Sequence, residues 1–450
     1  MLKAILRAKP IRNFLLLVII LLVALHHHLF NSLNNQPEHV EKKSNILCKE
    51  SELSLTSKNE DRPIYNSHQN FVRVAEIRSV MRENPPLRGA VGTHVNTANV
   101  VQHSHVWVGD KWHELSAQSR VCMATHTTVE YLFWVASQSW SGPMSIAVFA
   151  PGTDYYVAVA MIHYLRKCFP SVRGSASFHI MYPRERPPRF SNQSVTEKKL
   201  RCDDPEGVNQ LLLALRNEPP LRVYPQNHNR NLAKTNCPTH YSMTIDIDMI
   251  TPPSMSENLT KFFDRTDASN PCKKCAFVVP VYEVESTANY RPKDKQELTT
   301  LINNRLARRY HIKVWSPNQG NSKLDLWETE VLDREENEEE MGYRILYNIT
   351  SYEKFWEPIL IVPYTAPLFD ERFIGYGYVR NSQVYELHRR RYKFHVLDNA
   401  FLTHRGFQST KEYTSLRKAQ IEANSFRFSS FKKELKVRMK YEAREKEART

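Results

Sequence analysis

Three things are scarce or missing in this chain, and each removes a class of protein. It has no internal repeat, which excludes solenoids and propellers assembled from stacked copies. Cys272-x-x-Cys275 has no second cysteine pair at zinc-finger spacing, so a structural zinc site is not expected. Acidic residues are outnumbered, 48 against 62 basic, for a formal charge of +14. That surplus favours an anionic partner, with nucleic acid, an acidic lipid surface and a phosphorylated substrate all compatible. What is present is a globular composition: 41% hydrophobic and 24% charged residues suffice for a real core. At 450 residues there is room for one large domain or two ordinary ones, plus extensions.

Lysine and arginine are absent between Arg12 and Lys42, whereas Lys3, Arg7, Lys9 and Arg12 crowd the first dozen positions. Phe14 to Leu25 is an unbroken apolar run, and Ile11 to Phe30 extends it if His26, His27 and His28 are included. Twelve helical residues cover about 18 Å, short of a hydrocarbon core of roughly 30 Å, while about twenty span it. The charge asymmetry assigns 1–10 to a cytosolic tail, 11–30 to a transmembrane signal anchor and the remainder to the lumen. A cleaved signal peptide is the alternative, but no small-x-small site follows Leu25. Three sequons, at Asn192, Asn258 and Asn348, point to lumenal exposure independently. There, some of Cys48, Cys122, Cys168, Cys202, Cys237, Cys272 and Cys275 should pair, and the odd count leaves one over. A lumenal chain also loses nucleic acid as a partner.

Residues 31–118 are polar and read as a stem, with a short helix near Val72 to Met81. From Ser119 the pattern changes. Arg120 to Ala124, Met144 to Ala150, Phe178 to Met181 and Tyr241 to Ile245 read as strands. Between them Val129 to Val135, Tyr155 to Cys168 and Asn227 to Lys234 read as helices. The alternation predicts an α/β domain over 119–440 with a mostly parallel sheet covered on both faces. Ala276 to Val281 is a further buried strand, and Asp333 to Glu340 an acidic loop. Phe431, Leu435 and Met439 form one stripe of a closing helix, and 441–450 is a solvated basic tail.

Chemistry concentrates at Asp246-Ile247-Asp248, at the exit of an apolar strand. In extended chain residues i and i+2 share a side, so both carboxylates can meet one cation. Ligands of parallel α/β sheets bind beyond the carboxyl ends of the strands, where this pair falls. An Asp-x-Asp is also common in solvated turns. Three further segments bear on the choice: Tyr224 to Asn231, Phe369 to Phe373 before the Gly375-Tyr376-Gly377 turn, and Phe394 to His404. With them the chain resembles the glycosyltransferase family containing the β-1,4-glucuronyltransferase of O-mannosyl glycan synthesis. The carboxyl-terminal domain of the LARGE xylosyl- and glucuronyltransferases is similar too. Ala147 to Asp154, Tyr282 to Glu285 and Trp356 to Ile359 extend the resemblance, which runs in order from about Arg120 to Leu435.

The resemblance implies a GT-A fold, a Rossmann-like nucleotide-binding half joined to an acceptor-binding half, on a Golgi, single-pass type II membrane protein. It implies that Asp246, Asp248 and His404 hold Mn²⁺ on the diphosphate of a UDP-sugar, with a structural role as the alternative for His404. Asn227, Arg230 and Asn231 are implied donor contacts, with helix capping and domain packing as their alternative. Relatives make β-linkages from α-linked donors, so inversion is expected, and inversion needs a base on the acceptor hydroxyl. Asp370 is the first candidate, with Glu371 and Glu283 in reserve; Asp370 is otherwise a turn acid paired with Arg372. The expected reaction moves glucuronic acid from UDP-glucuronic acid to a glycan or glycoprotein acceptor, by a chain acting alone or in a homo- or hetero-oligomer. UDP-N-acetylglucosamine or UDP-xylose as donor, and a catalytically silent lumenal partner of another transferase, are the other readings. One departure stands out: Val379 occupies the position of an Asn in the LARGE-type motif, which bears on donor or acceptor preference.

Overall fold

The computed structural model describes residues 100–189, 200–219, 224–267, 272–286, 291–330, 343–409 and 414–449. The expected anchor at 11–30, the helix near Val72 to Met81, the acidic run Asp333 to Glu340, Asn192 and Cys48 lie outside them. Among the described residues no helix is long and apolar enough to cross a membrane.

Among the described residues thirteen strands form two sheets. In chain order they are β1 (Val100–Trp107), β2 (Val121–Thr128), β3 (Met144–Phe149), β4 (Ala176–Pro183), β5 (Tyr241–Asp246), β6 (Met249–Ile250) and β7 (Cys275–Val279). There follow β8 (Val281–Val284), β9 (Ala307–Arg309), β10 (Arg344–Ile349), β11 (Ile359–Pro363), β12 (Lys393–Asp398) and β13 (Leu402–Arg405). The large sheet has the order β1-β4-β3-β2-β5-β11-β7-β12-β10. Strands β4, β3, β2 and β5 run parallel. They read as continuous apolar runs because helices cover both faces; every residue of β3 is buried.

The sheet is less parallel than the alternation predicts. β11 enters antiparallel to both β5 and β7, and β1 and β10 close the edges antiparallel to β4 and β12. Because β1 pairs with β4, part of the expected stem belongs to the folded body, which among the described residues begins at Val100. The expected strand Ala276 to Val281 is two strands. Pro280 interrupts it, since a proline has no N–H to continue a ladder, and β8 leaves for the second sheet, ordered β6-β13-β8-β9.

Two helices sandwich the parallel strands. α1 (Asp154–Cys168) packs Val157, Met161 and Leu165 into the main core. On the other face α2 (Gln226–Thr235) lays Leu232 and Ala233 against Ala124, Ala147 and Phe149. The small side chains admit it closely enough for the Ser145 hydroxyl to donate to the Ala233 carbonyl at 2.7 Å. α3 (Met255–Asp267) and α4 (Asn381–Arg389) add further cover. The long α5 (Ser415–Arg449) closes the chain with Phe431 and Leu435 buried, and it takes up the expected basic tail as its last turns. Disulfides join Cys122 to Cys237, Cys168 to Cys202 and Cys272 to Cys275.

β7 and β12 are parallel, and both share the direction of β5, since β11 opposes β5 and β7 alike. All three leave the large sheet at their carboxyl ends and enter the small one: β5 into β6 through Ile247 and Asp248, β7 into β8 through Pro280, β12 into β13 through Asn399. Asn399 turns this corner with φ of 62°, a conformation that asparagine tolerates better than most residues.

Candidate active site

Asp246 is the last residue of β5. In the parallel register of β2 with β5 it sits opposite His126. Its Oδ1 accepts from the Arg230 guanidinium at 3.0 Å and from Arg380 at 2.9 Å, with His126 Nε2 at 3.2 Å. Burial alone would raise its pKa, but Arg380 and Arg230 hold the carboxyl well below the usual carboxylate range. The side chain is still 31% exposed, while those of Arg230 and Arg380 are 5% and 8% exposed. Arg380 is further fixed by donating to the Thr244 carbonyl at 2.9 Å, and His126 by the Tyr224 hydroxyl at 2.8 Å.

Asp248 lies two residues on, in the crossover to the small sheet, and faces a different neighbour. His404, on β13, places Nε2 3.4 Å from Asp248 Oδ2. Its Nδ1 is 3.2 Å from the Gly406 carbonyl, an acceptor that selects the Nδ1–H tautomer, and its Nε2 is 3.2 Å from the Gln408 amide nitrogen, a donor to the neutral ring. Burial lowers the His404 pKa, yet the Asp248 carboxylate more than offsets it and the net direction is up. Asp248 Oδ1 is buried with no hydrogen-bond partner. Among the described residues no three acids, histidines or cysteines are drawn together as a metal cage. Of the expected ligands, Asp248 and His404 lie side by side, and Asp246 meets the Arg230 and Arg380 guanidinium groups through Oδ1.

The expected donor contacts also divide. Asn227 is fully buried and spends both amide hydrogens on the carbonyls of Asp370 and Val379, at 2.8 and 3.0 Å. Asn231 spends its own on the Phe369 carbonyl at 2.8 Å and on Glu371 Oε1 at 3.0 Å, and accepts from the Phe369 amide. Both brace the segment 369–379 against α2. Arg230 alone of the three reaches the acids, steadied by Asn227 Oδ1 at 3.1 Å. These tertiary bonds also explain why so polar a helix forms, since asparagine is a poor helix former.

The three acids proposed as base differ in freedom. Glu283 is fully buried on β8, ion-paired with Arg308 at 2.6 Å and accepting from the His311 and Gln408 amides. Asp370 is gripped by Arg372 through its backbone amide and its guanidinium, at 2.7 to 3.2 Å. Arg372 is in turn held by Glu434 of α5. Glu371 has Asn231 on one oxygen and His228 Nε2 3.4 Å from the other. Val379 buries its side chain among Phe373, Tyr378, Phe428 and Phe431, so the departure noted in the motif falls in packing.

Sequence reasoning missed His126 and Arg380. No local pattern marks His126 inside an apolar strand; only the β2–β5 register gives it meaning. Arg380 had a signal in its place just after the Gly-Tyr-Gly turn. Of the sequons, Asn348 is exposed on β10, with Oδ1 2.6 Å from His395 Nδ1, whereas Asn258 is half-buried on α3 against Tyr343.

Fold and site together describe a mixed α/β protein with a charged, polar centre where its parallel strands end. Residues 120–441 match the family described as glycosyl-transferase for dystroglycan, and the chain belongs to that family; it is a glycosyltransferase. Beta-1,4-glucuronyltransferase 1 of Danio rerio is 29% identical over 330 residues, 71% of this chain and 74% of its own. Xylosyl- and glucuronyltransferase LARGE1 of Gallus gallus is 28% identical over 199 residues, 44% of this chain and 24% of its own. The crystal structure of S. aureus TarS 1–349 in complex with UDP aligns with 64% of this chain and 60% of that one, at 10% identity and a TM-score of 0.28.

Proposed function

We propose that the protein is an inverting, metal-dependent GT-A transferase of the Golgi lumen. It moves glucuronic acid from UDP-glucuronic acid to a glycan acceptor. The observation that carries the metal reading is Asp248: one carboxylate oxygen is buried without a partner, and the other lies 3.4 Å from His404 Nε2. A buried acceptor without a donor is costly, and a divalent cation removes the cost. One carboxylate and one imidazole are also a fitting protein share for a cation that completes its shell with substrate phosphates and water. Mn²⁺ bound there supplies Lewis acidity to the departing diphosphate.

The chain's own residues do the rest. Asp246 is fixed by Arg230, Arg380 and His126, which leaves its second oxygen and partly exposed edge toward the ligand. The two guanidiniums bring positive charge to the end of β5, where the donor's phosphates and carboxylate need it. For the base, Glu371 is the best placed of the three acids, because Asp370 and Glu283 must each first break an arginine pair. The acceptor hydroxyl oxygen attacks the anomeric carbon, the bond to UDP breaks with its electron pair leaving on the diphosphate, and Glu371 takes the hydroxyl proton. Support for the lumenal setting comes from the three disulfides, which persist in oxidising compartments, and from the basic N-terminal flank.

The test is an assay of the full chain against UDP-glucuronic acid, UDP-xylose and UDP-N-acetylglucosamine, with Mn²⁺ or excess chelator. UDP-glucuronic acid should be the active donor, and only with metal. Asp248→Ala should lower turnover by more than ~10²-fold, the upper end of what losing a ligand-orienting partner costs, with little change in melting temperature. Undiminished transfer in chelator would overturn the metal assignment, and preference for another sugar would overturn the donor.

A further inference from the structure

His228 is a buried titratable group that the reaction as described does not use. It is fully buried on α2, and both ring nitrogens lack a hydrogen-bond partner. Its Nε2 nonetheless points at Glu371 Oε2, 3.4 Å away. Burial lowers its pKa toward the neutral ring, against the opposing pull of Glu371 and Asp370. A neutral histidine carries one N–H donor, and at 3.4 Å it has a carboxylate oxygen nearly within reach.

The surroundings make the pair more than a packing accident. The same stretch of α2 presents Arg230 to Asp246 and Asn231 to Glu371 Oε1. Both oxygens of Glu371 thus face α2, one already hydrogen-bonded and one short of it. In resting enzymes catalytic hydrogen bonds are often long and close only when substrate binds.

We propose that His228 is a positioning residue for Glu371, its Nε2–H closing onto Oε2 so that the carboxylate is held with a free lone pair toward the acceptor hydroxyl. The proton that leaves the hydroxyl ends on Glu371, and His228 keeps its own throughout. This inference rests on Glu371 being the base, and the experiment separates the two.

Initial rates of full-length Glu371→Gln, His228→Phe, His228→Gln and the Glu371→Gln/His228→Phe double variant are measured beside calorimetric binding of UDP with Mn²⁺. Glu371→Gln should lose roughly 10²- to 10⁴-fold in turnover, the usual share of a general base. His228→Phe should lose roughly 10- to 10²-fold, as expected for a displaced reacting group, with UDP binding unchanged. His228→Gln, whose amide reaches the same place, should recover most of the rate. Because His228 acts through Glu371, the double variant should be no slower than Glu371→Gln alone. If the phenylalanine variant fails to melt cooperatively, His228→Asn, too short to reach Oε2, takes its place. Near-normal turnover in His228→Phe beside a slow Glu371→Gln overturns this proposal and leaves the base standing, as does a double variant slowed by the product of both singles. Near-normal turnover in Glu371→Gln overturns the base assignment itself, and this inference with it.

Discussion

Lys234, a residue only 4% exposed, ends the polar face of α2 and its ammonium donates to the carbonyls of Tyr364 and Ala366 at 3.2 and 3.3 Å. Two neutral acceptors do not replace water around a cation, and burial pushes the lysine down to about 8. The folded chain therefore binds fewer protons than the unfolded chain between about pH 8 and the ordinary lysine value of ~10.4. Stability contributed at this position rises across that window and is at its lowest below it. The swing is on the order of 3 kcal/mol, from about 1.4 kcal/mol per unit. Lys234→Met should flatten the rise: urea midpoints at pH 7.5 and 10 should converge relative to the parent. An unchanged difference between the two pH values would show that Lys234 keeps its full charge in the fold.

At the scale of elements, α5 does more than close the chain. Asn424 is fully buried and donates to the carbonyls of Ile374 and Tyr376 at 3.0 and 2.8 Å. A Cβ on Gly377, at φ of 88°, would come within 3.0 Å of the Ile421 Cα. Phe428 and Phe431 pack on Phe373 and Tyr378. The helix thus holds the turn between Glu371 and Arg380, two residues of the site. Asn424→Leu removes both donors and should cost about 1–3 kcal/mol, with donor binding weakened as Arg380 loosens. Glu442→Gln, which loses the charge of the bidentate surface pair with Arg390 at 2.7 and 3.0 Å, should cost less than about 1 kcal/mol. Chemical denaturation of both variants decides the matter; equal small losses would show that the helix merely covers the turn.

For the whole molecule, the compartment and the sheet edge meet at Asn348. β10 is the terminal strand of the nine-stranded sheet, with backbone groups that invite pairing with another chain, and a glycan on an edge blunts it. Asn348 is exposed there, whereas a glycan on Asn258 would have to displace its contact with Tyr343. Protein expressed in a secretory system should carry N-glycan at Asn348 in preference to Asn258, read by site-resolved mass spectrometry after glycosidase. No glycan at any sequon would sink the lumenal reading. The disulfides at sequence separations of 115 and 34 would stabilise such a protein by roughly 3–5 kcal/mol each in the chain-entropy account.

Local burial was legible. The apolar runs that become β2, β3 and β5, the stripe of α1 and the acids at the end of β5 follow from periodicity, because a side chain's preference for core or solvent is written at its own position. The stripe of Phe431 and Leu435 was visible for the same reason. What tertiary structure alone decided is which groups those acids meet. Asp246 lies 120 residues from His126 and 134 from Arg380, and nothing local specifies a contact at such separation. With β11 inserted antiparallel between β5 and β7, the strands β5, β7 and β12 leave the sheet together at their carboxyl ends, and that departure brings His404 to Asp248. The same long-range packing set the carbonyl partners of Asn227 and Asn231, since a buried amide takes whichever carbonyls the fold places beside it.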